Sequence, residues 1–230
     1  MPTIIRPTEL NYDRYSMTKY DRDIVNSIPF HVELHRRIAR YVLSHFKQNE
    51  HYNVLDLGAG TGLTSQLIQK LLPAPHFDIV DFSKQMLAGA QRKLGKYNVS
   101  CICADYAKRK FTKKYDIIIS VIGLHHQSHA GKRKMFKKIY SLLKPGGIFI
   151  FGDLVTFRDH HVAAYSIAKH FHHLVENATD KKTLIEWAHH HVFLNNLAPL
   201  EDQLEWLKEC GFKVVYKCNR YNTALVILKK

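Results

Sequence analysis

The chain has 230 residues, of which 46% are hydrophobic and 23% charged, with a formal net charge of +14 and four cysteines. That length builds one sizeable core, and the composition is that of an ordinary globular protein. No apolar run is long enough to span a bilayer and Met1–Leu10 carries no signal-peptide pattern, so a cytoplasmic protein without a membrane partner is expected. Cys101 and Cys103 stand two apart in a strand-like run, with Cys210 and Cys218 far off. This is neither a disulfide ladder nor a CxxC pair, and buried free thiols are expected.

The positive charge gathers in Lys108, Arg109, Lys110, Lys113 and Lys114, and again in Lys132, Arg133, Lys134, Lys137 and Lys138. Such clusters attract nucleic acid and other anions. In the second cluster Met135, Phe136, Ile139, Tyr140 and Leu143 fall between the charges at helical spacing, which assigns the lysines to a helix's outer face. The expectation is a weak, salt-sensitive nucleic-acid association and not a specific complex.

In chain order, Tyr12–Ile28 is polar and tyrosine-rich, and Pro29 separates it from His31–Phe46, where Leu34, Ile38, Val42 and Phe46 form one stripe of an amphipathic helix. Short apolar runs then alternate with helical segments. Val54–Leu57 precedes the helix Leu63–Leu72, and Phe77–Val80 precedes Lys84–Leu94. Val99–Cys103 follows, then Tyr115–Val121, the helix Lys132–Leu143 and the run Ile148–Phe151. This alternation predicts βαβ units and a parallel sheet with helices on both faces. After Asp153 it stops: Arg158–Glu176, Lys181–Phe193 and Leu200–Glu209 read as helices, and Lys213–Lys217 and Thr223–Leu228 as two closing strands. The chain reads as one domain: a helical cover over 1–50, a core over 51–153, a helical insertion over 154–211 and closing strands over 212–230.

The chemistry concentrates in Val54-Leu55-Asp56-Leu57-Gly58-Ala59-Gly60-Thr61-Gly62, where a buried strand runs into a glycine-rich turn that opens a helix. Glycines permit a tight turn and close approach of a ligand to the backbone. The dinucleotide fingerprint would place its third glycine at position 63, which is Leu63, so the spacing is GxGxG. The second strand ends in Asp81 and the third in Asp105, followed by Tyr106; the fourth ends near Ser120. Asp56, Asp81 and Asp105 thus put three acids where strands meet loops, at the end of the sheet where open α/β folds bind ligands.

These segments resemble the class I S-adenosylmethionine-dependent methyltransferases over about residues 50–153. The carrying motifs are VLDLGAGTG, then Phe77-Asp78-Ile79-Val80-Asp81-Phe82-Ser83 with Met86-Leu87, then Cys103-Ala104-Asp105-Tyr106. Tyr115-Asp116-Ile117-Ile118, running on to Gly123-Leu124-His125-His126, and Leu143-Lys144-Pro145-Gly146-Gly147 complete the set. The resemblance implies a Rossmann-like α/β fold with seven strands, the last antiparallel and inserted between the fifth and sixth. It implies S-adenosyl-L-methionine as cofactor. Gly58, Ala59, Gly60, Thr61 and Gly62 would form the floor under its methionine part, with Asp56 positioning that floor. Asp81 would bind the ribose, Phe82 and Met86 would flank the adenine, and Asp105 with Tyr106 would meet the adenine amine, with Ser120 at the end of the neighbouring strand.

On the substrate side, His125 and His126 follow the fourth strand at the mouth of the expected methyl pocket, where a neutral imidazole can take a proton from an acceptor. Tyr12, Tyr15 and Tyr20 are aromatic candidates near the sulfonium. The sequence holds 16 histidines. His31 and His35 have metal-like spacing but lack a third ligand, and are assigned to a solvated lid helix. His189, His190 and His191 point three ways round a helix and cannot act as one ligand set, so no metal is expected. The insertion's Phe171, Trp187 and Phe193 suit a small or flat organic acceptor.

The first reading is therefore a small-molecule methyltransferase. Others are an RNA methyltransferase, a non-enzymatic cofactor-binding scaffold, and an enzyme similar to the carboxy-S-adenosylmethionine synthases of tRNA modification. The last are resembled at Ile28-Pro29-Phe30 and Cys218–Lys230. They carry an arginine at a position matching Ala188 or His189, and a cysteine–serine variant where Gly58-Ala59-Gly60 stands. Both departures favour the ordinary cofactor.

Overall fold

A computed structural model describes residues 16–47, 50–95 and 98–230. Tyr12 and Tyr15 lie outside them. Within the polar stretch before Pro29, the helix α1 (Met17–Ser27) starts where the Ser16 hydroxyl accepts from the Lys19 amide. After Pro29, Phe30 turns left-handed at φ +71°, and α2 (His31–His45) follows. The stripe Leu34, Ile38 and Val42 is wholly buried, as its spacing requires.

Among the described residues the core alternates as expected: β1 (Asn53–Leu57), α3 (Leu63–Leu71), β2 (His76–Asp81), α4 (Lys84–Leu94), β3 (Val99–Cys103) and β4 (Tyr115–Val121). A short 3₁₀ turn, Leu124–His126, leads to α5 (His129–Leu142) and β5 (Leu143–Leu154). The helices α6 (His160–Asn177), α7 (Lys181–Phe193) and α8 (Leu200–Glu209) then stand between β5 and the last strands, β6 (Lys213–Arg220) and β7 (Thr223–Lys229).

The seven strands form one sheet in the order β3-β2-β1-β4-β5-β7-β6. β1 to β5 pair in parallel, and β7 runs antiparallel between β5 and β6. Helices cover both faces. On one, Leu34, Ile38 and Val42 pack with Ile68, Phe77, Ile117 and Ile227. On the other, Met135, Phe136 and Ile139 pack with Phe149, Phe151 and Leu207. No described helix is long and apolar enough to cross a membrane.

Three expectations are corrected. β5 begins at Leu143, not Ile148, because Leu143 already pairs with Tyr115 before a shift in register leads to Ile117. The described cysteines are free, but Cys103 is exposed and the other three are half-buried.

The third correction concerns charge. Lys132 does not stand on the outer face of α5. It is 0% exposed, because α5 begins at His129, under a Ser128 cap, and carries Lys132 inward. Its ammonium donates to the carbonyls of Gln127 and Asn196, each at 2.5 Å. Lys138 likewise donates to the carbonyls of Tyr106, Ala107 and Arg109. Two of the five basic residues in this cluster thus satisfy the backbone instead of facing solvent. Removing a buried charged donor strands its acceptors, at about 1–3 kcal/mol for each group left unsatisfied. Lys132→Ala should lower unfolding free energy by about 2–4 kcal/mol, against about 0.5 or less for the exposed Lys134→Ala, in urea denaturation.

Candidate active site

The loop after β1 is built by backbone bonding to the end of β2: the amides of Gly58 and Ala59 both donate to the Val80 carbonyl, at 2.9 and 3.1 Å. The chain then turns through Gly60 and Gly62, both left-handed at φ +54° and +77°. A side chain at Gly62 would also press within 3.0 Å of Ala90, so this position needs glycine for space as well as conformation. The next residue of β2, Asp81, is buried. Its Oδ2 accepts from the Gly60 amide and its Oδ1 from the Ser83 amide, both at 2.9 Å. Asp56 lies beneath, accepting from the Ser65 hydroxyl at 2.6 Å, and burial pushes its carboxyl up to about 7.

A groove enclosing about 380 Å³ runs over this loop, lined by Gly58, Ala59, Gly60 and Thr61 together with Tyr20, His31 and His35. Tyr20 reaches in from α1, its hydroxyl 3.5 Å from where a Gly60 side chain would begin. Beside it, Asp21 accepts from the Thr61 hydroxyl and pairs with Lys93 at 2.5 Å. α1 is thereby fastened to the glycine loop.

A second cavity, enclosing about 730 Å³, lies between α1, α6, α7 and the turn after β4. Tyr20, Ile24 and Ile122 line both cavities. Ile122 sits at φ +55°, a conformation that β-branched residues rarely adopt, and is held there by its amide's 2.7 Å bond to the Gly152 carbonyl.

His125 and His126 stand on the wall of this second cavity. The His125 Nδ1–H donates to Asp153 Oδ1 at 2.5 Å, and the His126 Nδ1–H to the Leu194 carbonyl at 2.9 Å. Burial holds His125 well below the usual histidine range and His126 at about 3, so both are neutral at pH 7. The end of the insertion is tied to the same turn, for the Asn196 amide donates to the His125 carbonyl at 2.8 Å.

Of the residues read from sequence, Gly58, Ala59, Gly60, Thr61 and Tyr20 share the groove, and Tyr20, His125 and His126 share the cavity. Asp105 stands at the turn after β3, bonding the Ala107 amide and pairing with Lys108. Phe82 is half-buried, and Met86 is buried in α4. Tyr106 and Ser120 also bond within the core. The Tyr106 ring packs within 3.5 Å of the Gly58 side-chain position and its hydroxyl donates to the Gly123 carbonyl, while Ser120 donates to the Leu57 carbonyl.

His31 and His35 are not solvated. Their ring centres lie 4.3 Å apart, tilted by 35°, and His35 Nε2 bonds the Thr64 hydroxyl at 3.0 Å, because α2 turns this edge toward the loop. Their i, i+4 spacing was the available signal. His189 is exposed, but His190 and His191 both face the cavity. Nothing local in the sequence signalled Asp153 as the partner of His125, or Ile122.

A parallel sheet with an inserted antiparallel strand, a GxGxG loop over its carboxyl end and an acid closing β2 define a class of fold and site. Residues 54–147 match the family model described as "Methyltransferase domain". The groove would suit S-adenosylmethionine, the cofactor that such a domain implies: left-handed glycines leave the loop backbone bare, with a buried carboxylate behind it.

Among curated proteins, the malonyl-[acyl-carrier protein] O-methyltransferase 2 of Ilyobacter polytropus is 36% identical over 103 residues, covering 44% of this chain and 39% of that protein. The chain spans about half the length of the relatives of that kind it matches. The carboxy-S-adenosyl-L-methionine synthase of Trichodesmium erythraeum is 24% identical, covering 85% of this chain and 78% of that protein. The N-methyltransferase NodS of Bradyrhizobium japonicum, solved with S-adenosyl-L-homocysteine, has a similar fold, with a TM-score of 0.61, 16% identity and 88% of each chain covered.

Gly60→Val should abolish S-adenosylhomocysteine binding, because it strains a left-handed residue and crowds Tyr20. Asp81→Ala should cost about 1.5–3 kcal/mol of that affinity. Calorimetry tests both, and unchanged affinity would remove the groove as the cofactor site. A second prediction follows from His31, which burial holds at about 3. The unfolded chain takes up a proton near pH 6.5 that the native fold refuses until about pH 3, so this stability is present above pH 6.5 and lost as pH falls. Between pH 7 and 5 the parent should lose about 2 kcal/mol more stability than His31→Gln in denaturation at the two pH values.

Proposed function

We propose that this single-domain, cytoplasmic chain is an S-adenosylmethionine-dependent methyltransferase acting on a small molecule held between α1, α6 and α7. The observation that carries the reading is the shared wall: Tyr20, Ile24 and Ile122 line both the groove over the glycine loop and the cavity beyond it. When bound, S-adenosylmethionine supplies a methyl group already activated on a sulfonium. Gly58 to Gly62 would hold its methionine part, Asp81 its ribose, and Phe82, Met86 and Asp105 its adenine side. The protein's task is then mostly to hold the acceptor's lone pair in line with that methyl, which proximity and orientation accomplish. The polar groups facing the acceptor include the imidazoles of His125, His126 and His190, with Trp187 supplying an aromatic wall.

Two alternatives receive less support. A carboxylated cofactor would need a cationic partner for its added carboxylate. Among the described residues no lysine or arginine lines the cavity. His189 and Lys182 are exposed, and Arg158 is paired at the surface with Asp202 and Glu205. An RNA substrate would need the basic surface, which loses Lys132 to the interior and has Lys138 bonded to backbone carbonyls. The relatives named for malonyl-[acyl-carrier protein] O-methylation are consistent with an oxygen acceptor.

The test is labelled methyl transfer into metabolite and RNA fractions, with mass spectrometry of the ligand carried through purification. We expect label in a small molecule and S-adenosylmethionine or its demethylated product on the protein; label in RNA or a carboxylated cofactor would overturn the reading. In the same assay His125→Ala should lower transfer by about 10²–10⁴-fold, the usual scale for a group acting on the acceptor's proton, while S-adenosylhomocysteine affinity stays within about twofold.

A further inference from the structure

Glu186, Trp187, His190 and His191 of α7 line the cavity beyond the groove, at the spacing of one helix face. The lysines of the same helix, Lys181 and Lys182, are exposed. A carboxylate on the face that a helix turns inward needs a reason, because an acid is seldom taken out of water without a partner. Glu186 is half-buried, and among the described residues none forms an ion pair or hydrogen bond with its carboxylate.

The rest of the wall leaves that charge unanswered. Asp23 of α1 is the other acid lining the cavity, and it is matched on its own helix by Lys19 and Arg22. Although the chain carries a net charge of +14, no described lysine or arginine lines this space. Lys132 is committed to the carbonyls of Gln127 and Asn196. Four histidines of the wall supply no positive charge at pH 7: burial holds His126 and His170 at about 3, His191 at about 4 and His125 well below the usual range. A cleft lined by one sign of charge focuses its field on what enters. Trp187 lines the same wall, and the indole is the aromatic group that best attracts a cation.

We infer that the methyl acceptor is a small cationic molecule, bearing a protonated amine or a quaternary ammonium, and that Glu186 on α7 selects it. The inference rests on the methyltransferase reading for the nature of the cavity and adds the acceptor's charge. A cation set against Glu186 gives the carboxylate the partner it lacks and turns a desolvation cost into a charge-assisted contact. An anionic acceptor would instead bring like charge into a space where no described lysine or arginine answers it. An ammonium nitrogen has no lone pair to attack a methyl group. The cationic group therefore anchors one end of the molecule, and the acceptor atom is a second group on it, such as a hydroxyl. Glu186 binds and does not react.

The experiment is calorimetric titration of the full chain, in the presence of S-adenosylhomocysteine, with three probes that share a phenol and differ in charge at the other end: tyramine, the uncharged alcohol tyrosol and the anion para-hydroxyphenylacetate. Tyramine should bind about 10–100-fold more tightly than tyrosol, the scale of a hydrogen bond to a charged group. The anion should bind more weakly than tyrosol. Glu186→Gln should abolish the preference for tyramine, and Glu186→Lys should reverse the order of tyramine and the anion. Circular dichroism reports whether each variant is folded. Tyramine bound no better than tyrosol, or not at all, by a parent that binds S-adenosylhomocysteine overturns the cation site and leaves the methyltransferase reading standing. A tyramine preference that survives in folded Glu186→Gln also overturns it. A preference that Glu186→Gln removes, in a protein that does not bind S-adenosylhomocysteine, leaves the cation site and overturns the cofactor reading.

Discussion

The site depends on two backbone bonds, from the amides of Gly58 and Ala59 to the carbonyl of Val80. They fasten the loop after β1 to the end of β2, so the next residue, Asp81, arrives where its carboxylate meets the Gly60 amide. A turn that tight requires φ values that glycine adopts freely and other residues do not. The buried strands supply the rigidity: β1 and β2 are enclosed by helices on both faces, and hydrogen bonds inside such a sheet cannot be traded for water. The cost is two carboxylates, Asp56 and Asp81, placed close together out of solvent. Asp56 meets it with the Ser65 hydroxyl and a raised pKa, Asp81 with two backbone amides.

The proposed acceptor side is assembled differently. Its histidines are held by contacts between segments far apart in sequence: Asp153 on β5, the Leu194 carbonyl after α7, and the Asn196 amide. Lys132 completes the arrangement from beneath, bonding the Asn196 carbonyl while its charge stands near Asp153. Burial lowers the lysine's pKa and raises the aspartate's, and each charge opposes the shift of the other. The insertion α6–α8 is therefore bound to the parallel core by polar contacts at this point, and the cavity's shape follows from them.

Sequence and structure part along the same line. The βαβ alternation, the GxGxG loop and the acids at strand ends are local patterns whose physical cause is local, and the sheet order and loop geometry follow them closely. Lys132 and the His31–His35 pair were misassigned for one reason: a charged or titratable side chain reads as exposed unless its buried partner is visible. Those partners are carbonyls of Gln127 and Asn196 in one case and the Thr64 hydroxyl in the other, and backbone carbonyls have no sequence signature. The three-way fan of His189, His190 and His191 was judged within one helix, whereas His190 converges with rings supplied by another element. Ile122 was unreadable because its left-handed backbone contradicts its own propensity; only the bond to Gly152 explains it.

Tyr20 belongs to both cavities, and the helix that carries it is fastened to the glycine loop through Asp21, Thr61 and Lys93. One helix is thus a common boundary for both ligands of the proposed reaction. A displacement of α1 that admits one ligand also breaches the compartment of the other, and a ligand that holds α1 in place has already met the cost of ordering it for the second. The two occupancies are linked through a single mechanical element, and the linkage is reciprocal: whatever the cofactor adds to the acceptor's affinity, the acceptor adds to the cofactor's.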